Sequence, residues 1–293
     1  MAAAEFEQGG IRNFLLDLPL RALFGLLALL PHETAIGLAG WLGARVLAPT
    51  LGLNRRIRDN LALVRPDLGH DEVRRLCREV SRNATRLMAE TFLPAGFVEQ
   101  ARRAPIGGKG REALFAALER GRPVILVSGH FGNFQVPRVV LAARGFDSAG
   151  IYRPMNNAYT NRRYVACLNR IATPNHPRGM RGTKAIIGHL RKGGVIALLN
   201  DQAAYEGSTL RFMGRPALTM TSAAEFALKF DALLVPIYGI RQGGGLDFRV
   251  EVEAPIPHSD PATMTQALND SLEAMVNAHP EQWYWIHRRW KGI

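Results

Sequence analysis

The feature that most constrains the fold is a charge-free run of six residues, Pro123-Val124-Ile125-Leu126-Val127-Ser128, that ends abruptly in Gly129-His130-Phe131-Gly132. A short apolar run rich in β-branched residues and closed by turn signals reads as a buried strand. The glycines on either side of His130 mark a tight turn where backbone can approach a ligand. Residues 133–143 then recover helical spacing, with Pro137 early enough to sit in a first turn. His130 therefore stands between a strand and a helix, at the carboxyl end of the strand, where open α/β sheets hold their ligands.

The chain after this point alternates. Strands are expected at 148–152, 195–199, 233–240 and 246–252, the last half-buried or at an edge because its apolar and charged residues alternate. Helices are expected at 111–120, 156–171, 183–191, 221–230 and 260–278. Before it, Asp71 is placed to cap a long helix running to Phe92, and residues 94–110 read as a connecting loop. Its Gly107-Gly108-Lys109-Gly110 lacks the Ser or Thr of a nucleotide phosphate loop. The pattern predicts an α/β fold with a mixed central β-sheet flanked by helices. Cys77 and Cys167 lie far apart in helix-like segments, which argues against a disulfide framework or a zinc site.

The N-terminal part differs in composition. Residues 1–10 are small and polar, with no cleavage pattern ahead of the apolar part. Apolar runs at 22–31, 34–44 and 46–53 follow, each shorter than the roughly 18–20 residues of a spanning helix. Two short helices broken at Pro31-His32-Glu33 fit this pattern. They could be a buried helix pair or an interfacial or re-entrant membrane anchor. Arg55, Arg56 and Arg58, placed just past the run where anionic headgroups would lie, favour the anchor. The expected division is a membrane-associating helical segment at 1–53 and an α/β domain at 54–293.

A formal net charge of +12 and a sequence pI near 10.5 call for an anionic partner. Most of the basic residues are arginines, which suit phosphate through planar, bidentate contacts. The apolar N-terminus and the lack of a basic helix-turn-helix or an aromatic sheet platform count against nucleic acid.

His130 is followed five positions later by Gln135, close enough to orient an imidazole but unable to stabilise its charged form. Here the sequence resembles the lipid A biosynthesis acyltransferases, the late lauroyl and myristoyl transferases of the wider lysophospholipid acyltransferase superfamily. The resemblance rests on residues 129–135, Asn60-Leu61, residues 152–157, Asn200-Asp201-Gln202, residues 212–217 and residues 280–290, in family order. It implies a glycerol-3-phosphate acyltransferase-like fold and a general-base histidine, here His130. The family partner is a carboxylate at the position of Gln135, and the amide there is a departure. Asp201, directly after the strand at 195–199, is the expected substitute, since it too should emerge at the carboxyl edge of the sheet.

Arg153 follows a strand and precedes Pro154, so it is displayed at that same edge as a phosphate ligand; Arg178 and Arg215 are similar in looser contexts. Backbone amides from Gly129 through Gly132 to Asn133 could meet an oxyanion. Trp283, Trp285 and Trp290 with Arg288 and Arg289 read equally as an interfacial belt or a packed tail. The resemblance implies acyl transfer from a thioester, with acyl carrier protein or CoA as co-substrate and no other cofactor or metal, to a lipid A precursor. The expected location is the cytoplasmic face of a bacterial inner membrane, peripheral or monotopic, on an anionic surface. Gln135 keeps open another lyso-lipid acceptor, or an impaired lipid-binding homologue.

Overall fold

The computed structural model describes residues 9–204 and 206–291, so the polar leader read at 1–10 lies almost wholly outside the described residues. In chain order the elements are α1 (Ile11–Leu27), α2 (His32–Leu42), α3 (Ala48–Thr50), α4 (Leu53–Val64), α5 (His70–Phe92), α6 (Pro94–Ala101), β1 (Ile106–Gly107) and α7 (Arg111–Glu119). There follow β2 (Val124–Ser128), α8 (Val136–Ala142), β3 (Ser148–Tyr152), α9 (Ala158–Ile171), β4 (Asn175–Pro177), α10 (Met180–Leu190) and β5 (Val195–Leu199). The last are β6 (Ser208–Phe212), β7 (Arg215–Thr219), α11 (Ser222–Phe230), β8 (Leu233–Arg241), β9 (Phe248–Val252) and α12 (Pro261–Ala278).

The main sheet has the order β1-β9-β8-β2-β5-β3-β4, and every pairing is parallel except β8 with β9. The charge-free run is β2, its central strand, and side-chain alternation sends its two faces into two cores. Val124 and Leu126 pack with Phe97, Leu114 and Val139 from α6, α7 and α8. Ile125 and Val127 pack with Ile186, Ala223 and Leu268 from α10, α11 and α12. Burial on both faces is what removes charge from the run.

Register aligns the carboxyl ends of four strands. Ser128 pairs with Leu199, Ala197 with Gly150, and Tyr152 with Pro177, so β2, β5, β3 and β4 all stop at one level. Residues at the same distance past these ends meet across the edge of the sheet.

Residues 94–110 are not the loop the sequence suggested. Pro94 at the first helical position starts α6, which buries Phe97 and Ala101, and β1 then adds beside β9. The hairpin β6–β7 and the three-residue β4 also escaped sequence reading, because short, partly exposed strands leave almost no periodic signal. The helix α5 is capped from Gly69, and Asp71 sits in its first turn, where a carboxylate still suits the positive end of the helix dipole. The strand β9 keeps the expected alternation but is interior, paired on both sides.

The apolar N-terminal helices are docked by one face. Phe24, Leu27, Ile36 and Ala39 pack against Ala89 and Phe92 of α5. The buried Asp17 accepts hydrogen bonds from Thr160 (2.6 Å) and Arg163 (2.5 Å), and Asn157 donates to the Asn13 carbonyl (2.7 Å), which fixes α1 to the start of α9. The opposite face is exposed and apolar, with Leu16 63%, Leu26 66% and Leu29 80% accessible. Among the described residues no single helix is long and apolar enough to cross a membrane; the pair 32–50 and 53–64 meets the length and composition only across an 84° bend.

Candidate active site

Glycine governs the approach to His130. A Cβ on Gly129 would lie 2.8 Å from the Leu272 methyls and 3.1 Å from Asp201 Oδ2, so only glycine lets α12 and the Asp201 carboxylate close on the strand end. Gly132 has φ 52°, and a Cβ there would lie 2.1 Å from the Gly239 carbonyl. The turn is stitched on both sides: Gly132 N–H donates to Gln282 O and Asn133 N–H to Gly239 O, both at 2.9 Å, while Tyr284 N–H donates to His130 O at 2.9 Å. The amides of Gly132 and Asn133 thus hold the loop to β8 and to the C-terminal segment, and are spent as oxyanion donors for that reason.

Because Ser128 and Leu199 are register partners, His130 and Asp201 stand two residues past the same level on neighbouring strands. Asp201 is 1% exposed. Its Oδ1 faces His130 Nδ1 at 2.7 Å, and its Oδ2 accepts from the His130 backbone N–H at 2.7 Å and from the Trp283 indole at 2.9 Å. Burial alone would push this carboxyl up. The facing imidazole, with the His130 and Trp283 hydrogen bonds, outweighs it and holds Asp201 below the usual carboxylate range. An ionised carboxylate only accepts, so neutral His130 carries its proton on Nδ1 and turns the Nε2 lone pair outward. That is the arrangement of a general base with an orienting acid.

Gln202 completes the surroundings. Its Nε2 lies 3.1 Å from His130 Nε2 and 2.9 Å from His287 Nε2. His287 is pushed down to about 4 by burial, with His130 nearby adding to the effect, so His287 is neutral near pH 7. The turn carrying His287 is held by Asn60, whose amide donates to the carbonyls of Trp285 (2.6 Å) and His287 (2.7 Å). Behind the loop, Asn133 Nδ2 donates to Glu90 Oε2 at 2.7 Å, and Glu90 also takes two hydrogen bonds from Arg241 at 2.6 and 2.8 Å. Glu90 is fully buried. Asn133 therefore ties the loop to α5 and β8.

Gln135 goes elsewhere. It is buried in front of α8, and its Oε1 accepts from Arg138 at 3.4 Å. Arg138, itself buried, donates to Ser148 Oγ, Ser148 O and Asn175 Oδ1, clamping β3 and β4; burial lowers its pKa to about 10.

Arg153 and Arg178 come together. They follow the register pair Tyr152 and Pro177, and Arg178 N–H donates to Tyr152 O at 2.8 Å, so both residues leave the carboxyl edge from adjacent strands. Arg153 also donates to Asn156 Oδ1 at 3.0 Å. Arg215 is not at this edge; on β7 it donates to Leu63 O at 3.2 Å and joins the hairpin to α4. The tryptophans form a packed tail, not a belt: Trp283, Trp285 and Trp290 are buried and give their indole N–H groups to Asp201, Pro280 O and Phe212 O.

An imidazole, a carboxylate from the neighbouring strand and arginines further along share one edge of the sheet. The profile described as bacterial lipid A biosynthesis acyltransferase matches residues 18–292. The chain belongs to this family. A lipid A biosynthesis acyltransferase of Haemophilus influenzae is 24% identical over 60% of this chain and 56% of its own length. A lipid A biosynthesis lauroyltransferase of Escherichia coli is 26% identical over 62% of this chain and 60% of its own. A phosphatidylinositol mannoside acyltransferase of Mycolicibacterium smegmatis is 25% identical over 94% of this chain and 91% of its own. The first relatives are thus matched over somewhat more than half of their length.

For a member of the acyltransferase family, sequence reasoning overlooked Gln202, His287, Trp283 as a donor to Asp201, and Glu90. Gln202 and His287 lie inside blocks that carried the resemblance, yet only the fold brings positions 130, 202 and 287 within hydrogen-bond reach. Glu90 had no signal beyond a carboxylate on the apolar side of an arginine-rich helix.

Proposed function

We propose that this protein transfers a fatty acyl group from a thioester to a hydroxyl of a membrane lipid. The observation that carries the reading is His130, with Nδ1 held by a buried carboxylate and Nε2 turned out at the sheet edge. In the proposed step Nε2 takes the acceptor O–H proton as that oxygen bonds to the thioester carbonyl carbon. The tetrahedral adduct then expels the sulfur by breaking C–S, and the imidazolium returns the proton to the thiolate. Asp201 orients the ring and stabilises its charged form. With strands about 4.8 Å apart, Arg153 and Arg178 stand roughly 10–15 Å from His130, a distance suited to holding an acceptor phosphate.

The exposed leucines of α1 and α2 support action at a bilayer surface. They are hooked to the start of α9, which opens just beyond Arg153, so the apolar face and the phosphate-binding edge adjoin. Burying four such side chains would contribute about 6 kcal/mol or more. In this reading the N-terminal unit expected at 1–53, whose described part from residue 11 on is docked through Asp17 and Ile36, acts as an interfacial anchor and 54–293 as the α/β acyltransferase domain, at the cytoplasmic face of the inner membrane. The donor is acyl carrier protein or CoA; the basic surface suits an acidic carrier. The acceptor is a lipid A precursor. A second reading, another phosphorylated lipid with a free hydroxyl, is favoured by the near full-length match to a phosphatidylinositol mannoside acyltransferase. Gln135 would motivate an impaired homologue if Asp201 did not already supply the carboxylate. Lipid profiling of cells lacking the protein tests the reading: loss of an acyl group from lipid A, or accumulation of another deacylated phospholipid, is the expected result, and an unchanged lipid profile contradicts it.

A further inference from the structure

The outward Nε2 of His130 is not open. Gln202 Nε2 stands 3.1 Å from it and 2.9 Å from the Nε2 of His287. Chemistry fixes which end of the amide does this. Asp201 can only accept, so it keeps the His130 proton on Nδ1 and leaves Nε2 an acceptor; the group facing it must be a donor. The NH2 of Gln202 has two hydrogens, one for each imidazole. One side chain thus caps the lone pair that the proposed reaction needs, and does so where the acceptor hydroxyl must come.

We propose that Gln202, anchored on His287, is a displaceable plug that keeps His130 from activating water until the acceptor hydroxyl takes the place of the amide. The inference rests on the acyl-transfer reading for its consequence, though not for the hydrogen bonds themselves. A thioester enzyme with an uncovered base hydrolyses its donor: water gives a proton to Nε2, its oxygen bonds to the carbonyl carbon, C–S breaks, and the thiolate recovers the proton, releasing a fatty acid and a free thiol. Gln202 is solvent-exposed on the loop after β5, so moving it aside opens no cavity in the core. His287 is part-buried, held from behind by Asn60 and kept neutral by burial, so it offers a fixed acceptor to which the amide returns. A single hydrogen bond to a neutral nitrogen is strong enough to exclude a water and weak enough for a bound lipid to break. Gln202 is a positioning residue in this account: it acts through His130.

The test uses the full chain without substrate and then with it. Diethyl pyrocarbonate carbethoxylates unprotonated imidazole nitrogen, and peptide mapping separates His130 from the other histidines. In Gln202→Ala, His130 is modified about 5-fold faster than in wild type at pH 7, the rate change that loss of one ordinary hydrogen bond allows. His287→Phe, which removes the anchor and not the plug, gives a smaller increase, as does Gln202→Asn, one methylene too short to span both rings. With acyl thioester and a lipid acceptor, Gln202→Ala raises the ratio of fatty acid released to acyl transferred. Equal carbethoxylation rates in wild type and Gln202→Ala overturn the plug. So does a variant that loses transfer with the hydrolysis ratio unchanged, which would make the amide an oxyanion donor. If the wild-type chain transferred no acyl group to any lipid, the functional reading would fail, while the carbethoxylation rates would still decide whether Gln202 caps His130.

Discussion

The loop after β5 and the turn leading into α8 both flank His130, and both end in a side chain able to carry or mimic a carboxylate partner. At Asp201 the donors converge: the His130 ring, the His130 amide and the Trp283 indole all point to one carboxylate, and the outer nitrogen of the imidazole beyond it is covered by the exposed Gln202. At Gln135 the hydrogen bond runs away from the histidine, into a buried clamp in which Arg138 holds β3 and β4. One region orders the imidazole. The other orders the sheet on which the imidazole is mounted. Nearness in sequence favours Gln135, but strand register favours Asp201, and register decides which group meets the ring.

This contrast can be broken from either side. The largest expected effect on stability is that of Arg138→Met, which leaves oxygens of Ser148, Asn175 and Gln135 without their donor and lowers the unfolding free energy by about 3 kcal/mol in a denaturant titration. Well below its midpoint the variant keeps acyl transfer within about 5-fold of wild type, the effect expected if the clamp supports the sheet without touching the reaction. Trp283→Phe does the reverse. It removes one donor from Asp201, lowers kcat about 10-fold through a looser imidazole, and moves KM little.

The smallest effect lies in the pH dependence. His287 stays neutral in the folded chain down to about 4, whereas the unfolded imidazole takes its proton near 6.5, so between these values the unfolded state binds more protons and stability falls as pH drops. His287→Phe flattens that slope, which is at most ~1.4 kcal/mol per pH unit. Asp201 acts further down. Its depressed pKa contributes stability that is present above the usual carboxylate range and lost as pH falls below it, so acid unfolding survives in the His287 variant. Chemical denaturation at several pH values between about 2 and 7 reads both.

Much of this was legible in residues. The charge-free 123–128 run announced a buried strand, which starts one residue later, at Val124, and the end of β5 announced that Asp201 would surface at the same edge. Arg153 was legible for the same reason, since a strand end fixes where the next residue leaves. Arg178 rose in standing only with β4, a strand of three residues that no periodicity can reveal. The meeting of Gln202 with His287, and the hold of Trp283 on Asp201, depend on a C-terminal segment returning to the sheet edge from more than eighty positions away. Local pattern carries no information on such closures. The apolar N-terminus was read as core or anchor; it is docked with Ile36 inside, and Leu29 faces outward on the same unit.

The central claim is that Asp201, and not the residue at 135, is the partner of His130. The most direct measurement is the rate of acyl transfer by Asp201→Asn and by Gln135→Glu under saturating donor and acceptor. The account predicts a loss of about 10²–10⁴-fold in kcat for Asp201→Asn, where the amide cannot stabilise an imidazolium, and a change within about 3-fold for Gln135→Glu. Full activity in Asp201→Asn, or a large gain in Gln135→Glu that persists when Asp201 is also replaced, would contradict it.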